Sequence, residues 1–439
     1  MSIKELKNKN IAVLGLGVEN IALIDYIINK KTECNISVFD SRDEKALGNR
    51  YLKYKKNTNV FWNLGKQKYN YSDFDIIFRS PGWTLFDEEI SKAQKNGVVV
   101  SSPMKMFFET CPSKNIIGVT GTKGKGTTST LIYQIIKEAG KRVWLGGNIG
   151  NAPFEFVTKI KKDDWVVLEL SSFQLEDLDQ SPKVAVFTNF YKEHLSPADP
   201  NNPNYHKSLA AYWLAKKNIF AHQRKSDKFI ANIKVAKRLE KEPVLAERIF
   251  FHKSDIESGL IGEHNKENIA AAVEVAKVLK ISKEVVRRAV KKYMGLEHRI
   301  ELAGKIDNVE FYNDSFATTP EATITALKSF KGPIIALAGG ADKGANFLGL
   351  ARELKKRVKY IILFNGKGST KIKKELLKVK YPFKKISFVG SMEEAFKKLK
   401  KIKEDGDVVL LSTACASFGV FKNYKERGEK FKKEIEKLK

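Results

Sequence analysis

Short, unbroken apolar runs alternate with stretches whose apolar positions return at helical spacing, and this alternation continues along most of the chain. Residues 11–14 run straight into Gly15-Leu16-Gly17, and a helical pattern follows through Ile28. Further strands are predicted at residues 35–39, 74–78 and 98–100, before Ser101-Ser102-Pro103 breaks the pattern. A continuous apolar run, unlike an alternating one, marks a strand buried on both faces. Helices between such strands carry the chain back, so a parallel sheet is expected, with ligands at the carboxyl ends of its strands.

A second stretch opens with an apolar strand at residues 115–119, a glycine-rich loop and a helix over 127–139. Strands follow at 165–170, 184–188 and 229–231, with helices at 210–220 and 265–279 and a polar, proline-rich passage at 196–204. A third stretch has strands at 309–312, 333–338, 360–363, 386–389 and 408–411, again with helices between. At 439 residues the chain has room for about three domains of ~150 residues. The expected fold is therefore α/β in three domains. Residues 1–103 form an N-terminal Rossmann-like unit, 104–298 a central P-loop ATPase-like unit with a mostly parallel sheet, and 299–439 a C-terminal Rossmann-like unit.

Composition changes this picture little. The net charge of +28, from 79 Lys+Arg against 51 Asp+Glu, raises the question of a nucleic-acid partner. The lysines are scattered, however, and those at 355–380 and 397–403 lie among apolar residues at helical spacing, as on solvated helix faces. A basic nucleic-acid-binding ATPase predicts basic patches flanked by aromatics, and no such motif is present, so no nucleic acid is expected. No run reaches the ~20 apolar residues of a membrane span. The charged first ten residues are unlike a signal peptide, so a cytoplasmic protein is expected. Cys34, Cys111 and Cys415 are widely separated, which suits a reducing compartment and neither a disulfide framework nor a metal pair.

The loop Gly121-Thr122-Lys123-Gly124-Lys125-Gly126-Thr127 carries the clearest chemistry. Glycines there let backbone N–H groups turn toward phosphate oxygens, and the following helix adds its positive end. Lys125 is placed to lie over the β and γ phosphates. Gly126 stands where a Walker loop has its Mg²⁺-binding hydroxyl, which moves that role to Thr127. Glu169 closes an apolar strand, where a buried carboxylate calls for a cation, although a capping acid is the plain alternative. His194, after another strand, is by itself as readily a structural histidine. Gly15-Leu16-Gly17 with Asp40 after the next strand looks like a dinucleotide fingerprint, but Asn20 replaces the third glycine.

The motifs fall in a telling order. Gly-Thr-Lys-Gly-Lys-Gly-Thr is followed by Glu169-Leu-Ser171-Ser172-Phe173-Gln174-Leu175-Glu176, then by Asn189-Phe-Tyr-Lys-Glu193-His194. His264-Asn265-Lys-Glu-Asn268, His298-Arg299, Asn313-Asp314-Ser315, Gly339-Gly340-Ala341-Asp342-Lys343-Gly344 and Ala414-Cys415-Ala416-Ser417-Phe418 come after. From Gly15 to about Gly428 this resembles the Mur ligase family, and the Ser-Ser-Phe-Gln-Leu-Glu run resembles its D-glutamate-adding branch. Two related alternatives are another Mur ligase, which the Ser-Ser-Phe-Gln-Leu-Glu run disfavours, and folylpolyglutamate synthase, which normally lacks the ~100 residues found here before the loop.

The resemblance implies ATP-dependent ligation in cytoplasmic peptidoglycan precursor synthesis. ATP phosphorylates the carboxylate of UDP-N-acetylmuramoyl-L-alanine, D-glutamate attacks the acyl phosphate, and phosphate leaves a tetrahedral intermediate. It implies ATP contacts at Gly121, Thr122, Lys123, Gly124, Lys125, Gly126, Thr127, Thr128, Asn268 (adenine), Arg299 (phosphates) and Asp314 (ribose). Two Mg²⁺ ions are implied at Thr127, Glu169, His194 and Lys216, with Lys125, His194 and Lys216 catalytic. Lys216 matches the family lysine carbamylated by CO₂; Lys217 is the neighbour with which it can be confused. The nucleotide-sugar contacts implied are Val18, Asp40, Arg42, Ser80, Gly82 and Asn148, and the D-glutamate contacts Thr318, Lys343, Ser417 and Phe418. Phe316 departs from the pattern, since many relatives carry lysine there. The partners implied are these three small molecules, and a monomer is expected.

Overall fold

The computed structural model describes residues 1–65, 69–196, 204–342 and 344–438. The chain divides into two compact units: Met1–Ile256 with Glu267–Ala289, and Glu257–Lys266 with Val290–Lys439. The first unit holds two sheets. One contains β1 (Asn10–Leu14), β2 (Asn35–Asp40), β3 (Val60–Leu64), β4 (Ile76–Arg79) and β5 (Val99–Ser101), in the order β3-β2-β1-β4-β5. All its neighbours run parallel. The other contains β6 (Ile116–Thr120), β7 (Val143–Gly147), β8 (Trp165–Glu169), β9 (Val184–Phe187), β10 (Lys228–Asn232) and β11 (Glu247–Phe251). Its order is β11-β10-β9-β6-β8-β7, again all parallel.

The second unit holds β12 (Glu301–Ile306), β13 (Val309–Asn313), β14 (Ile334–Gly339), β15 (Val358–Phe364), β16 (Ile386–Val389) and β17 (Val408–Leu411). Their order is β12-β13-β17-β14-β15-β16, and β12 pairs antiparallel with β13. The α/β class and the parallel sheets follow from the apolar runs. The pattern omits β3, β7, β11 and β12. All four are sheet edges, and β11 (Glu-Arg-Ile-Phe-Phe) and β12 (Glu-Leu-Ala-Gly-Lys-Ile) are largely exposed or half-buried and carry charged residues, so neither gives a continuous apolar run.

In each sheet the chain reverses its direction of growth beside a central strand, which opens a crevice at the carboxyl end. In the first sheet this lies between β1 and β4, and in the second around β6 with β8 and β9 on either side. These strands are buried throughout or nearly so, which fixes where their last residues point. Of the proline-rich passage at 196–204, residues 197–203 lie outside the described residues.

Candidate active site

β6 ends at Thr120, and the helix Lys125–Glu138 begins four residues beyond Gly121. Gly124 caps that helix with a left-handed backbone (φ +82°), and a Cβ there would sit 2.2 Å from Asn268 Oδ1. Gly121 is equally constrained, because a Cβ would meet Thr188 Oγ1. The loop is held from β9's extension: Thr122 N–H bonds Asn189 O at 2.9 Å, Lys123 N–H bonds Asn189 Oδ1 at 2.8 Å, and Thr188 Oγ1 donates to Lys123 O at 2.7 Å. Lys125 Nζ donates to Gly121 O at 3.1 Å and Thr122 O at 3.0 Å, which keeps the ammonium over the loop. Thr128 Oγ1 donates to Asn268 Oδ1 at 3.3 Å, so two residues of the implied ATP set touch directly.

Beside the loop stands Lys216, only 1% exposed. It lies near the end of the helix Leu209–Lys217, which Ser208 caps by accepting Ala211 N–H at 3.0 Å. Lys216 Nζ donates to Gly121 O at 2.8 Å and Thr120 Oγ1 at 3.2 Å, and lies 4.9 Å from the centre of the Tyr212 ring. Burial holds its amine well below the usual lysine range, and the Lys125 charge pushes the same way against Glu193 and Glu169. Lys217 instead faces Glu242 at 3.4 Å on a half-buried surface. The two lysines are thus told apart by environment.

Glu169 is buried at the end of β8, and Asn148 Nδ2 donates to its Oε1 at 2.9 Å. Asn148 thereby lies at the loop side of the central sheet. His194 takes a left-handed backbone (φ 60°), a region that histidine enters more readily than most side chains, and its Nε2 is 3.8 Å from Glu193. Partial burial lowers its pKa, and the cations of Lys125, Lys216 and Lys123 add to that against Glu193. A hydroxyl and a carboxylate, Thr127 and Glu169, are hard oxygen donors of the kind Mg²⁺ takes. An unmodified lysine amine is not.

The Ser-Ser-Phe-Gln-Leu-Glu run has a structural part to play. Ser171 and Gln174 form a capping box that starts the short helix Ser172–Leu175, and Gln174 Nε2 also donates to Glu19 of the first sheet's leading helix. Arg79, at the end of β4 and 1% exposed, donates to Phe173 O at 3.1 Å and to Trp83 O at 2.9 Å. Its guanidinium faces Asp177 at 3.2 Å and Glu176 at 3.7 Å. Sequence reasoning missed Arg79, and it missed His206. That ring is fully buried, stacks on Phe173 at 4.6 Å, and meets Ser172 Oγ at 2.9 Å. Burial, with His194 and Lys216, pushes His206 down to about 4. Neither residue lies in a recognisable motif, so only the fold could reveal it.

In the first sheet, Asp40 accepts Leu16 N–H at 2.7 Å and two bonds from the Arg42 side chain, at 2.8 and 2.7 Å. Burial opposes its charge, but Arg42 and the backbone N–H groups outweigh that and hold its pKa down. Asn20 fills the place of the third glycine by donating to Leu14 O and Gly15 O. Gly15 (φ +80°) approaches Ser80 so closely that a Cβ would lie 2.5 Å from its hydroxyl oxygen. Gly82 is half-buried just beyond, and Val18 is exposed at the start of the helix Val18–Asn29.

In the second unit, Asp314 follows β13, accepts Ser412 Oγ at 2.7 Å and Ile300 N–H at 3.3 Å, and is pushed up to about 7 by burial. Arg299 lies over the Phe316 ring, 4.2 Å from its centre. Thr318 is half-buried, Ser417 buried and Phe418 exposed, while Lys343 lies outside the described residues. Arg427, another residue the sequence did not announce, is buried and donates to Ser315 Oγ at 2.9 Å and Ser315 O at 2.7 Å. Glu297, His298 and Glu429 come within 4.8 Å of one another. Lys432 already neutralises that cluster, at 2.6 Å from Glu297 and 3.5 Å from Glu429.

Comparison with known proteins settles the family. Residues 9–102 match the Mur ligase MurD-like N-terminal domain, 119–247 the Mur ligase middle domain, and 298–415 the Mur ligase glutamate ligase domain. The chain is 38% identical to the UDP-N-acetylmuramoylalanine–D-glutamate ligase of Clostridium tetani, covering 99% of this chain and 98% of the relative. The chain belongs to the Mur ligase family. The Acetivibrio thermocellus protein of the same name is also 38% identical, with 99% and 98% covered. Among solved Mur ligases, the MurF ligase of Thermotoga maritima in complex with ADP matches in fold, with TM-score 0.59, 18% identity and complete coverage of both chains. Among the described residues of this Mur ligase, no helix is long and apolar enough to cross a membrane.

Proposed function

We propose that this Mur ligase joins D-glutamate to UDP-N-acetylmuramoyl-L-alanine with cleavage of ATP to ADP and phosphate, in cytoplasmic peptidoglycan precursor synthesis. The observation that carries the reading is end-to-end likeness, at 38% identity, to relatives bearing that name. The MurD-like match over residues 9–102 speaks against folylpolyglutamate synthase. Residues 1–103 then take the uridine diphosphate sugar, 104–298 bind ATP, and 299–439 bind the amino acid. A single chain would suffice.

The chemistry asks chiefly for charge neutralisation and alignment between two anions. Lys125 and the N–H groups from Gly121 to Thr128 cradle the phosphates, and the family resemblance assigns adenine to Asn268, ribose to Asp314 and phosphate to Arg299. Thr127, Glu169 and His194 would hold Mg²⁺, which supplies neutralisation of phosphate charge when bound. Burial lowers the pKa of Lys216, which favours the neutral amine that adds to CO₂, its nitrogen bonding the carbon and releasing a proton. The resulting carbamate is a hard oxygen donor, which the bare amine is not. Thr318, Lys343, Ser417 and Phe418 receive D-glutamate, while Val18, Asp40, Arg42, Ser80, Gly82 and Asn148 receive the nucleotide sugar. Phosphate release with ATP, Mg²⁺, the nucleotide sugar and a panel of amino acids tests the reading. D-glutamate should be preferred. Turnover only with folate and L-glutamate would refute it.

A further inference from the structure

We propose that His206 is a positioning residue: its buried ring is the fixed surface on which Phe173 and Tyr212 are set, and those two rings hold the His194 imidazole. The inference rests on the reading above in taking His194 as a side chain that meets Mg²⁺. The four rings form one cluster inside the first compact unit. His206 stacks on Phe173 with ring centres 4.6 Å apart and planes 5° apart, and meets Tyr212 at 5.2 Å. His194 meets the same two rings edge to face, 5.4 Å from Phe173 and 5.7 Å from Tyr212. Edge-to-face contacts are directional, so a ring packed against two others is held in orientation as well as in place. The main chain adds a direct tie, since His206 N–H donates to His194 O at 2.8 Å, beside the left-handed backbone of His194. A metal-binding side chain gains affinity when packing locks its rotamer before the ion arrives.

The surface itself is rigid. His206 is fully buried, and a 2.9 Å hydrogen bond joins its Nε2 to Ser172 Oγ, in the first residue of the helix Ser172–Leu175. Phe173 is fixed independently, because Arg79 donates to its carbonyl oxygen at 3.1 Å. Tyr212 is fully buried, and its hydroxyl lies 3.2 Å from Thr122 Oγ1 in the phosphate loop. Asn204, two residues before His206, is buried and donates to Pro81 O at 2.8 Å, which anchors the segment to the loop after β4. The plain alternative is a core ring that only fills space. Its loss would cost stability and leave His194 as it was.

The test is a double-mutant cycle read by Mn²⁺ binding to the full chain saturated with a non-hydrolysable ATP analogue. Electron paramagnetic resonance counts the free ion, with the analogue alone as blank. His206→Leu should weaken Mn²⁺ binding roughly fivefold, about the size of one lost aromatic pair. His206→Gln, which keeps a hydrogen-bonding group for Ser172 but no ring, should do the same. His206→Phe, which keeps the ring, should stay within about twofold of the parent. In a His194→Ala background none of the three should cost anything further. In turnover, the Mg²⁺ concentration for half-maximal phosphate release should rise by a similar factor, while the KM for the amino acid stays put. Should His206→Leu fail to fold, His206→Gln completes the same cycle. Equal losses with and without His194, a His206→Phe chain as weak as His206→Leu, or lower urea stability with Mn²⁺ binding unmoved would overturn the proposal. A His194→Ala chain that binds Mn²⁺ as tightly as the parent would remove His194 from the metal reading, and the proposal with it. The binding measurement needs neither nucleotide sugar nor amino acid, so the identity of the amino acid ligated does not enter it.

Discussion

Lys216 Nζ donates to the carbonyl oxygen of Gly121 at 2.8 Å, so a lysine buried near the end of the helix Leu209–Lys217 is bonded to the first residue of the phosphate loop. Burial holds the pKa of that amine well down, which favours the neutral form that a nucleophile needs. Lys216→Ala is expected to lower kcat by roughly a hundredfold or more, as loss of one preorganised charge-stabilising group does. Short-chain carboxylates should restore part of the activity. Lys217→Ala, which removes only a surface ion pair to Glu242, should stay within about twofold. Full activity of Lys216→Ala without added carboxylate would remove the carbamate from the account.

Gly124→Ala should damage ATP binding more than the fold. The position needs φ +82°, and the added methyl would lie 2.2 Å from Asn268 Oδ1. Strain of about 1–3 kcal/mol, shed by displacing either the loop or Asn268, should raise the KM for ATP at least several-fold. An unchanged KM for ATP would show that the loop adjusts freely.

Arg79→Met should be strongly destabilising. It leaves Glu176 and Asp177 facing each other without their buried cation, and breaking such a network costs about 3–5 kcal/mol. Urea unfolding at constant slope is the measurement. Adding Asp177→Leu should recover part of the loss, because a well-packed apolar replacement avoids the uncompensated charge. A loss below about 1 kcal/mol would place the triad with ordinary surface pairs.

Glu19 gives a pH signature. Burial raises its pKa from 4.5 to about 7, against the Gln174 hydrogen bond, with Asp177 adding to the rise and Arg79 opposing it. The folded chain therefore keeps a proton that the unfolded chain loses between those values. Stability contributed by this group is present below about pH 4.5 and declines as pH rises toward 7. Glu19→Gln should flatten that decline while still accepting from Gln174, and thermal unfolding across the window reads it out. An identical slope in parent and variant would assign the proton elsewhere.

The phosphate loop was legible because its glycines are demanded by backbone geometry, at Gly121 and Gly124 alike. Strands buried on both faces were legible for the same reason, a local pattern with a local cause. β11 and β12 were not, because an edge strand with exposed polar positions looks like a loop. Arg79, His206 and Arg427 act through partners distant in sequence: Phe173 is 94 residues from Arg79, and Ser315 is 112 from Arg427. No spacing rule reaches that far. Ser171 and Gln174 were read as a substrate signature, and the structure adds that they start a helix and reach Glu19.

The most direct measurement follows heavy oxygen from the substrate carboxylate of UDP-N-acetylmuramoyl-L-alanine during turnover with ATP, Mg²⁺ and D-glutamate. Formation of an acyl phosphate transfers one carboxylate oxygen to the phosphate that leaves, so labelled phosphate and the D-glutamyl product should appear together. Unlabelled phosphate, or equal release with L-glutamate in place of D-glutamate, would contradict the account.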